Sequence, residues 1–241
     1  MPTQSPITKA ILEHQIQLTP QQKRYIKVKR LCDTIVALLA LVVLSPLLLL
    51  VGIAIKIESP SEPVFFIQKR VGRNYHVFRL IKFRSMKSTA PKNMATSEFE
   101  HPEQYITHLG RIIRRTSIDE LPQLVNVLRG DMSLIGPRPL VYTEREIRFL
   151  RRWYGVYQVR PGITGLAQVS GRDTVDTYDK VAFDREYVQH ISFREDVELF
   201  FKSIWIVLMR VGIREGKVQK VQKELAAQEA VAQPQQTGGS Q

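Results

Sequence analysis

The sequence predicts an α-rich α+β protein. One membrane helix is joined to a small cytoplasmic globular domain that carries a short β-hairpin and amphipathic interfacial helices. Three observations lead there. Residues 35–55, IVALLALVVLSPLLLLVGIAI, contain no charge. Two β-prone runs, Val64-Phe65-Phe66-Ile67 and Val77-Phe78, flank a turn signal at Arg73-Asn74. Apolar residues then recur with helical spacing at Leu121, Leu124, Val125 and Leu128.

The apolar run has two readings. About 20 apolar residues at 1.5 Å rise cross a ~30 Å hydrocarbon core, which gives a single spanning anchor. However, Ser45-Pro46 sits at the centre of the run. Pro46 has no N–H for the carbonyl of Val42, and its ring crowds that carbonyl, so the helix bends there. A Ser45 hydroxyl bonded to a nearby carbonyl makes the bend acceptable in lipid. Both flanks are basic, with Lys23, Arg24, Lys27, Lys29 and Arg30 before the run and Lys56, Lys69, Arg70 and Arg73 after it. Basic flanks favour the cytoplasmic side. Two arms of roughly ten residues, about 15 Å each, dip into one leaflet and return. Physics alone leaves the re-entrant hairpin and the kinked span evenly matched. A cleaved signal peptide does not fit a run this long, this far from the start and without a small-residue cleavage site.

The chain divides accordingly into a basic N-terminal segment (1–30), the membrane helix (31–57), a globular domain (58–214) and a charged tail (215–241) that frays into disorder. With 241 residues and 44% hydrophobic content, the chain can bury a core. The single cysteine, Cys32, excludes an intrachain disulfide and fits a cytosolic or membrane-proximal protein. A net charge of +12 points to anionic partners: nucleic acid, anionic lipid or phosphorylated substrates.

Within the globular domain, the hairpin belongs to a strongly basic stretch. Seven basic residues, among them Lys82 and Arg84, lie from Lys69 to Lys87 with no acid between them. One sign of charge alone is best explained by an anionic partner, whether headgroup or substrate. Residues 88–108 read as an irregular connection. LGRIIRRTSIDELPQLVNVLRGD then reads as a helix ended by Gly130. Its start is open: Ser117 with Glu120 makes a capping box, and Asp119 as N-cap would put Pro122 in the first turn. Either start puts Asp119 at a helix N-terminus, where free N–H groups favour negative charge or a bound phosphate.

Further on, Arg138 stands between Pro137 and Pro139 in a stiff turn, and TEREIRFLRRWYGVYQ reads as a helix of mixed charge. VRPGITGLAQVSGR holds Gly162, Gly165 and Gly171 between Arg160 and Arg172. Such loops can bring backbone N–H groups to phosphates, but neither GxxxxGK[ST] nor GxGxxG is present, so the signal is weak. Residues 197–213, interrupted by Lys202, Ser203 and Arg210, form a buried or interfacial helix.

The five scattered histidines argue against a metal held by imidazoles, and no nucleophile-elbow motif occurs. What remains is Asp119-Glu120 in a basic surround. Taken alone, a carboxylate pair at a helix start is more often a cap. Adjacent helical residues point about 100° apart, so the two would divide labour. One attacks, while the other orients a metal or a proton. Phosphoryl transfer needs such a site. Cations neutralise a pyrophosphate as its leaving group departs, and the arginine fork suits phosphate oxygens. Mg²⁺ is held by a carboxylate and the phosphates, and a carboxylate nucleophile gives an acyl phosphate.

KRLCD leading into the Ser45-Pro46 run, FRLIKFRSM, RRTSIDELPQLVNVLRGDMSLIGPRPL and VRPGITGLAQVSGR together resemble the bacterial monotopic phosphoglycosyl transferases. These are also called polyprenyl-phosphate sugar-1-phosphate transferases or bacterial sugar transferases. The resemblance covers residues 29–212 and is to the minimal form of the family. It implies a re-entrant helix, broken at Ser45-Pro46, on the cytoplasmic face of the bacterial inner membrane. It implies transfer of a sugar 1-phosphate from a UDP-sugar to a polyprenyl phosphate such as undecaprenyl phosphate, with release of UMP, at the start of surface glycan assembly. By the resemblance, Asp119 carries a covalent phosphosugar and Glu120 is its partner, with Mg²⁺ held at this dyad, by Asp119 or by Glu120.

Lys82, Arg84, Arg114 and Arg138 match basic positions near phosphates, and Pro137-Arg138-Pro139 matches the nucleotide segment. Arg160 and Arg172 are further candidate substrate contacts. Lys29, Arg30, Ser45 and Pro46 are the membrane positions, and Asp196 matches an acidic position without an assigned role. The partners are the UDP-sugar, the polyprenyl phosphate and membrane phospholipid, without nucleic acid; a homodimer is compatible. One departure is the hairpin turn, Asn74-Tyr75 where the family often has Asn-Gly. A non-catalytic, basic, membrane-anchored adaptor for anionic lipid or nucleic acid would also explain the charge and the anchor. It would not need Asp119 and Glu120 among arginines, nor the Gly- and Pro-rich motifs.

Overall fold

The computed structural model describes residues 15–91, 99, 101–170 and 177–209. Helix α1 (Pro20–Glu58) is 39 residues long. It starts inside the segment read as the basic N-terminal extension, because Thr19 and Gln22 form a capping box and Pro20 needs no N–H partner in the first turn. The helix continues through Pro46 as one element. There the Ser45 hydroxyl donates to the Val42 carbonyl at 2.8 Å, replacing the bond that Pro46 cannot make.

Both arms of α1 pack on the globular domain. Ala37 is fully buried among Phe78, Leu80, Leu124, Val127 and Met132. Val51 and Ile55 are buried with Phe83 and Ile113. Between and beyond these contacts, Leu38, Leu39, Val42, Val43, Leu49 and Leu50 are exposed. In water such an apolar patch is costly, which marks this surface as one that meets lipid.

Strands β1 (Phe65–Val71) and β2 (Val77–Phe83) form the expected hairpin, in register from Phe65↔Phe83 to Val71↔Val77. Asn74 takes the expected positive φ of 52°, and Tyr75 follows at 64°. The free edge of β2 is fixed to the next helix by Asn126, whose amide accepts from Ile81 N and donates to Arg79 O at 3.0 and 2.7 Å.

The single helix expected over residues 109–131 is three pieces. They are α2 (His108–Arg115), a 3₁₀ turn (Ile118–Glu120) and α3 (Gln123–Arg129). Neither anticipated start is used. Ser117 is left-handed, with φ 56°, and makes no cap bond, and the residue before α3 is Pro122. The cause is Pro122, which has no N–H for the carbonyl of Ile118. That carbonyl takes Leu121 N instead, in a 3₁₀ bond of 3.2 Å. Gly130 ends α3 at φ 89°, as expected.

Residues 88–108 are not wholly irregular. A 3₁₀ turn spans Pro102–Gln104, and Met86 bridges Ile106. After α3 come β3 (Ser133–Ile135), β4 (Leu140–Val141), the expected helix α4 (Arg145–Trp153), β5 (Gly162–Thr164), the short α5 (Leu166–Val169), α6 (Thr177–His190) and α7 (Phe193–Met209). Strand β4 extends the hairpin to a three-stranded sheet in the order β2-β1-β4, and β3 pairs with β5 in parallel. The main core joins Tyr187 and Val188 of α6, Ile191 of the link that follows and Leu199 of α7 to Ile135, Val156 and Val159. Helix α7 leaves Phe193, Phe200, Phe201, Ile204 and Trp205 outside, the face of an interfacial helix. The tail from 215 onward lies outside the described residues.

Candidate active site

The left-handed Ser117 reverses the chain after α2, and the 3₁₀ turn then presents Asp119 and Glu120. A left-handed non-glycine costs roughly 1–2 kcal/mol, the kind of strain that persists where surrounding packing over-determines it. Here the packing is Ile118 against the cluster of Phe83 and Ile113. Asp119 is buried, and Glu120 is half-buried. Glu120 borders a cleft lined also by Arg70, Leu80, Lys82, Gln123, Arg138, Pro139 and Ile163. Leu80 and Lys82 are two apart on β2, so one face of the strand supplies both. The Lys82 ammonium sits 5.3 Å above the Phe66 ring.

Charges in this cluster are pushed toward neutrality. Burial and the charge of Glu120 raise the Asp119 carboxyl to about 6, against the pull of Lys82, Arg114 and Arg138. Burial brings the Lys82 ammonium down to about 8, while Asp119 pulls the other way. Burial, with the nearby Arg138, brings Arg70 down to about 10, so it stays charged at neutral pH. The Arg138 guanidinium reaches Glu120 Oε1 at 3.4 Å. The structure thus brings together Asp119, Glu120, Lys82, Arg114, Pro139 and Arg138 from the sequence reading.

Other candidates fall elsewhere. Arg84 donates to Pro63 O at 2.8 Å and pairs with Glu62 at 3.5 Å, bracing the link between α1 and β1. Arg160 Nε donates to Gly130 O at 2.8 Å, at the far end of α3. Arg172 lies outside the described residues. Gly162 and Gly165 let two segments touch, and Gly171 lies outside the described residues. A Cβ on Gly162 would lie 2.1 Å from Gly136 N, and one on Gly165 would lie 2.1 Å from Gly136 O. Two of the four membrane positions face protein. Arg30 donates to the carbonyls of Val127 and Leu128 at the end of α3. Lys29 pairs with Asp196 at 2.6 Å and Asp33 at 3.6 Å. Asp196 also accepts from Tyr25 and, at 2.7 Å, from Tyr187, so its role is to dock α1 on α6 and α7.

Arg70 and Gln123 were missed among the cleft residues. The basic stretch from Lys69 contained Arg70, but only the folded hairpin sets it at the end away from Arg84, which meets another partner. Among the described residues no group of three or more His, Cys, Asp or Glu could hold a metal ion. Two adjacent carboxylates are nevertheless enough for Mg²⁺, which takes one or two from the protein and completes its shell with water and substrate phosphates. A carboxyl whose burial is under-compensated, as at Asp119, suits a further cation.

The sequence is similar to known proteins over most of its length. The family model described as bacterial sugar transferase matches residues 24–210. The chain is 41% identical over 198 residues to the UDP-N-acetylgalactosamine-undecaprenyl-phosphate N-acetylgalactosaminephosphotransferase of Aeromonas hydrophila, covering 79% of this chain and 46% of that protein. It is 37% identical to the exopolysaccharide production protein ExoY of Sinorhizobium fredii, covering 76% of this chain and 87% of that one. It is 40% identical to the UDP-glucose:undecaprenyl-phosphate glucose-1-phosphate transferase of Caulobacter vibrioides, covering 73% and 68%. The chain therefore spans about half the length of the first of these relatives and most of the second.

Proposed function

The chain belongs to the bacterial sugar transferase family, and on that premise we propose that it transfers a sugar 1-phosphate from a UDP-sugar to a polyprenyl phosphate. The observation that carries the reading is the buried Asp119 beside Glu120, facing Lys82, Arg114 and Arg138. An Asp119 carboxylate oxygen attacks the phosphorus that bears the sugar. The bond from that phosphorus to the bridging oxygen breaks, and UMP leaves with the oxygen. The product is an acyl phosphate carrying the sugar. A phosphate oxygen of the polyprenyl phosphate then attacks the same phosphorus and expels the Asp119 carboxylate, giving the polyprenyl diphosphate sugar.

Arg138, Arg70 and Lys82 bind the pyrophosphate and offset the charge that develops on the departing UMP. Glu120 keeps Arg138 oriented before the donor arrives. Asp119, with Glu120 beside it, would hold Mg²⁺, which neutralises phosphate charge when bound. A carboxyl near 6 is ionised at pH 7.5 yet more basic than a free aspartate, a favourable balance for a nucleophile.

The helix α1 is re-entrant in this account. Its first arm is tied to the domain through Lys29 to Asp196 and Gln22 to Gln189 O, its last turn through Glu58 to Leu109 N. A spanning helix would set these two groups of contacts on opposite sides of the bilayer, and the one domain that makes both would have to cross the hydrocarbon core, which is expensive. The site then lies at the cytoplasmic membrane face, where a lipid phosphate can reach it. In a Cys32→Ser background, single cysteines at Lys27 and Ser61 are expected to label from the same side; labelling from opposite sides contradicts the re-entrant topology.

The relatives above are named for N-acetylgalactosamine and for glucose, so similarity at this level leaves the sugar open. A panel of UDP-sugars assayed for UMP tests the reaction. A burst stoichiometric with enzyme is expected from the donor alone, and sustained release only with polyprenyl phosphate. No sustained release from any UDP-sugar overturns the proposal.

A further inference from the structure

Three consecutive carbonyls of the turn that carries Arg138 each accept a hydrogen bond from a different part of the fold. Pro137 O accepts from Gly162 N at 3.0 Å, Arg138 O from Arg151 Nη1 at 2.6 Å, and Pro139 O from Arg70 Nη1 at 3.0 Å. Arg70 is itself oriented by Gln68 Oε1 at 2.6 Å and by Glu144 at 4.0 Å. Arg151 rises from α4, outside the cleft lining, and is only 3% exposed. Its other terminal nitrogen is paired with the equally buried Asp184 of α6. The side chain of Arg138, by contrast, is 53% exposed.

Two prolines fix φ at positions 137 and 139, and Pro139 keeps Arg138 itself extended, which leaves only part of the ψ range of Arg138 open. The Arg151 bond selects one orientation within that range. A buried ion pair is a weak source of stability, because desolvation offsets its attraction. Here one nitrogen of the fork is directed away from the pair, at a single carbonyl of the active-site turn. The fork geometry of arginine allows both contacts at once.

We propose that Arg151, held by Asp184, is a positioning residue for the transfer: it acts through the backbone of Arg138 to aim that guanidinium at the pyrophosphate of the donor. The inference rests on the reading that Arg138 meets the pyrophosphate. It assigns a role to a buried pair that no local motif reveals, and it links α4 and α6 to the reacting atoms.

The test is a double-mutant cycle on kcat/KM for UMP release, with the full chain in detergent. Arg138→Ala is expected to lose ~10²-fold and Arg151→Met ~10-fold, the latter mainly in kcat. The double variant is expected to match Arg138→Ala within ~2-fold, because Arg151 has no effect once Arg138 is gone. Losses that multiply to ~10³-fold overturn the proposal. Full activity of Arg138→Ala instead overturns the placement of Arg138 at the pyrophosphate, so the two failures are distinguishable.

Asp184→Asn retains the Arg151 to Arg138 bond. It is expected to lower the melting temperature while losing under ~3-fold in activity. Activity that falls in step with melting temperature in both Asp184→Asn and Arg151→Met marks the pair as purely structural and overturns the proposal. If Arg151→Met does not fold, Arg151→Lys keeps the charge beside Asp184 without the fork, and the same cycle with Arg138→Ala applies.

Discussion

Two buried polar clusters are built on opposite terms. In the docking cluster every named charge has close partners. Asp196 receives Lys29, Tyr25 and Tyr187, while Asp33 receives Lys29 and, at 2.6 Å, the Ser133 hydroxyl. At the cleft, Lys82 is held at about 8, and Asp119, beside Glu120 at its edge, at about 6, each displaced chiefly by burial that the opposite charges nearby only partly offset. The first cluster holds the membrane helix on the domain. The second is the candidate site, where burial holds both charged groups nearer to neutrality.

The comparison breaks most visibly at the two aspartates. Asp119→Asn is expected to lose at least ~10³-fold in turnover, as for removal of a covalent nucleophile. It is not expected to melt lower. The folded pKa of Asp119 is raised, so its ionised form is disfavoured in the folded state. That penalty is absent below about 3.8 and fully present above about 6, and the amide removes it at pH 7.5. Asp196→Asn is expected to do the reverse. Breaking a buried, hydrogen-bonded pair costs on the order of 3 kcal/mol in urea unfolding, while kcat/KM of the folded enzyme stays within ~3-fold. Equal effects of the two variants on both measurements would erase the distinction.

Much of the docking cluster was invisible in the sequence, and much of the cleft was visible. Features that depend on local chemistry were legible: the hairpin, the positive φ at Asn74, a bond from the Ser45 hydroxyl to a nearby carbonyl and the cap at Gly130. The division of the helix at Ser117 was not, because the periodicity of Leu121, Leu124, Val125 and Leu128 carries across a missing N–H that only Pro122 signals. Strands of two or three residues, such as β4 and β5, have no period to detect. Arg84 and Arg70 look alike in a basic run, but they lie at opposite ends of the hairpin, one beside Glu62 and the other at the cleft. Lys29 read as a membrane flank until Asp196, far along the chain, was seen to hold it. The dyad itself was legible in residue type, and the motifs around it carried the family resemblance.

A smaller effect sharpens the contrast through pH. In the free enzyme, kcat/KM is expected to rise as Asp119 ionises near pH 6 and to fall as Lys82 loses its proton near pH 8. Lys82→Arg is expected to remove the alkaline limb and keep the acid one, since arginine stays charged. An unchanged alkaline limb in that variant would show that Lys82 is not the group responsible.

The central claim is that Asp119 forms a bond to phosphorus. Intact-mass measurement of the protein incubated with UDP-sugar and Mg²⁺, without lipid acceptor, tests it directly. The account predicts one added sugar phosphate, located by peptide mapping at Asp119, lost on addition of polyprenyl phosphate and absent from Asp119→Asn. Sustained turnover with no adduct at any time, or an adduct that persists in Asp119→Asn, would contradict it.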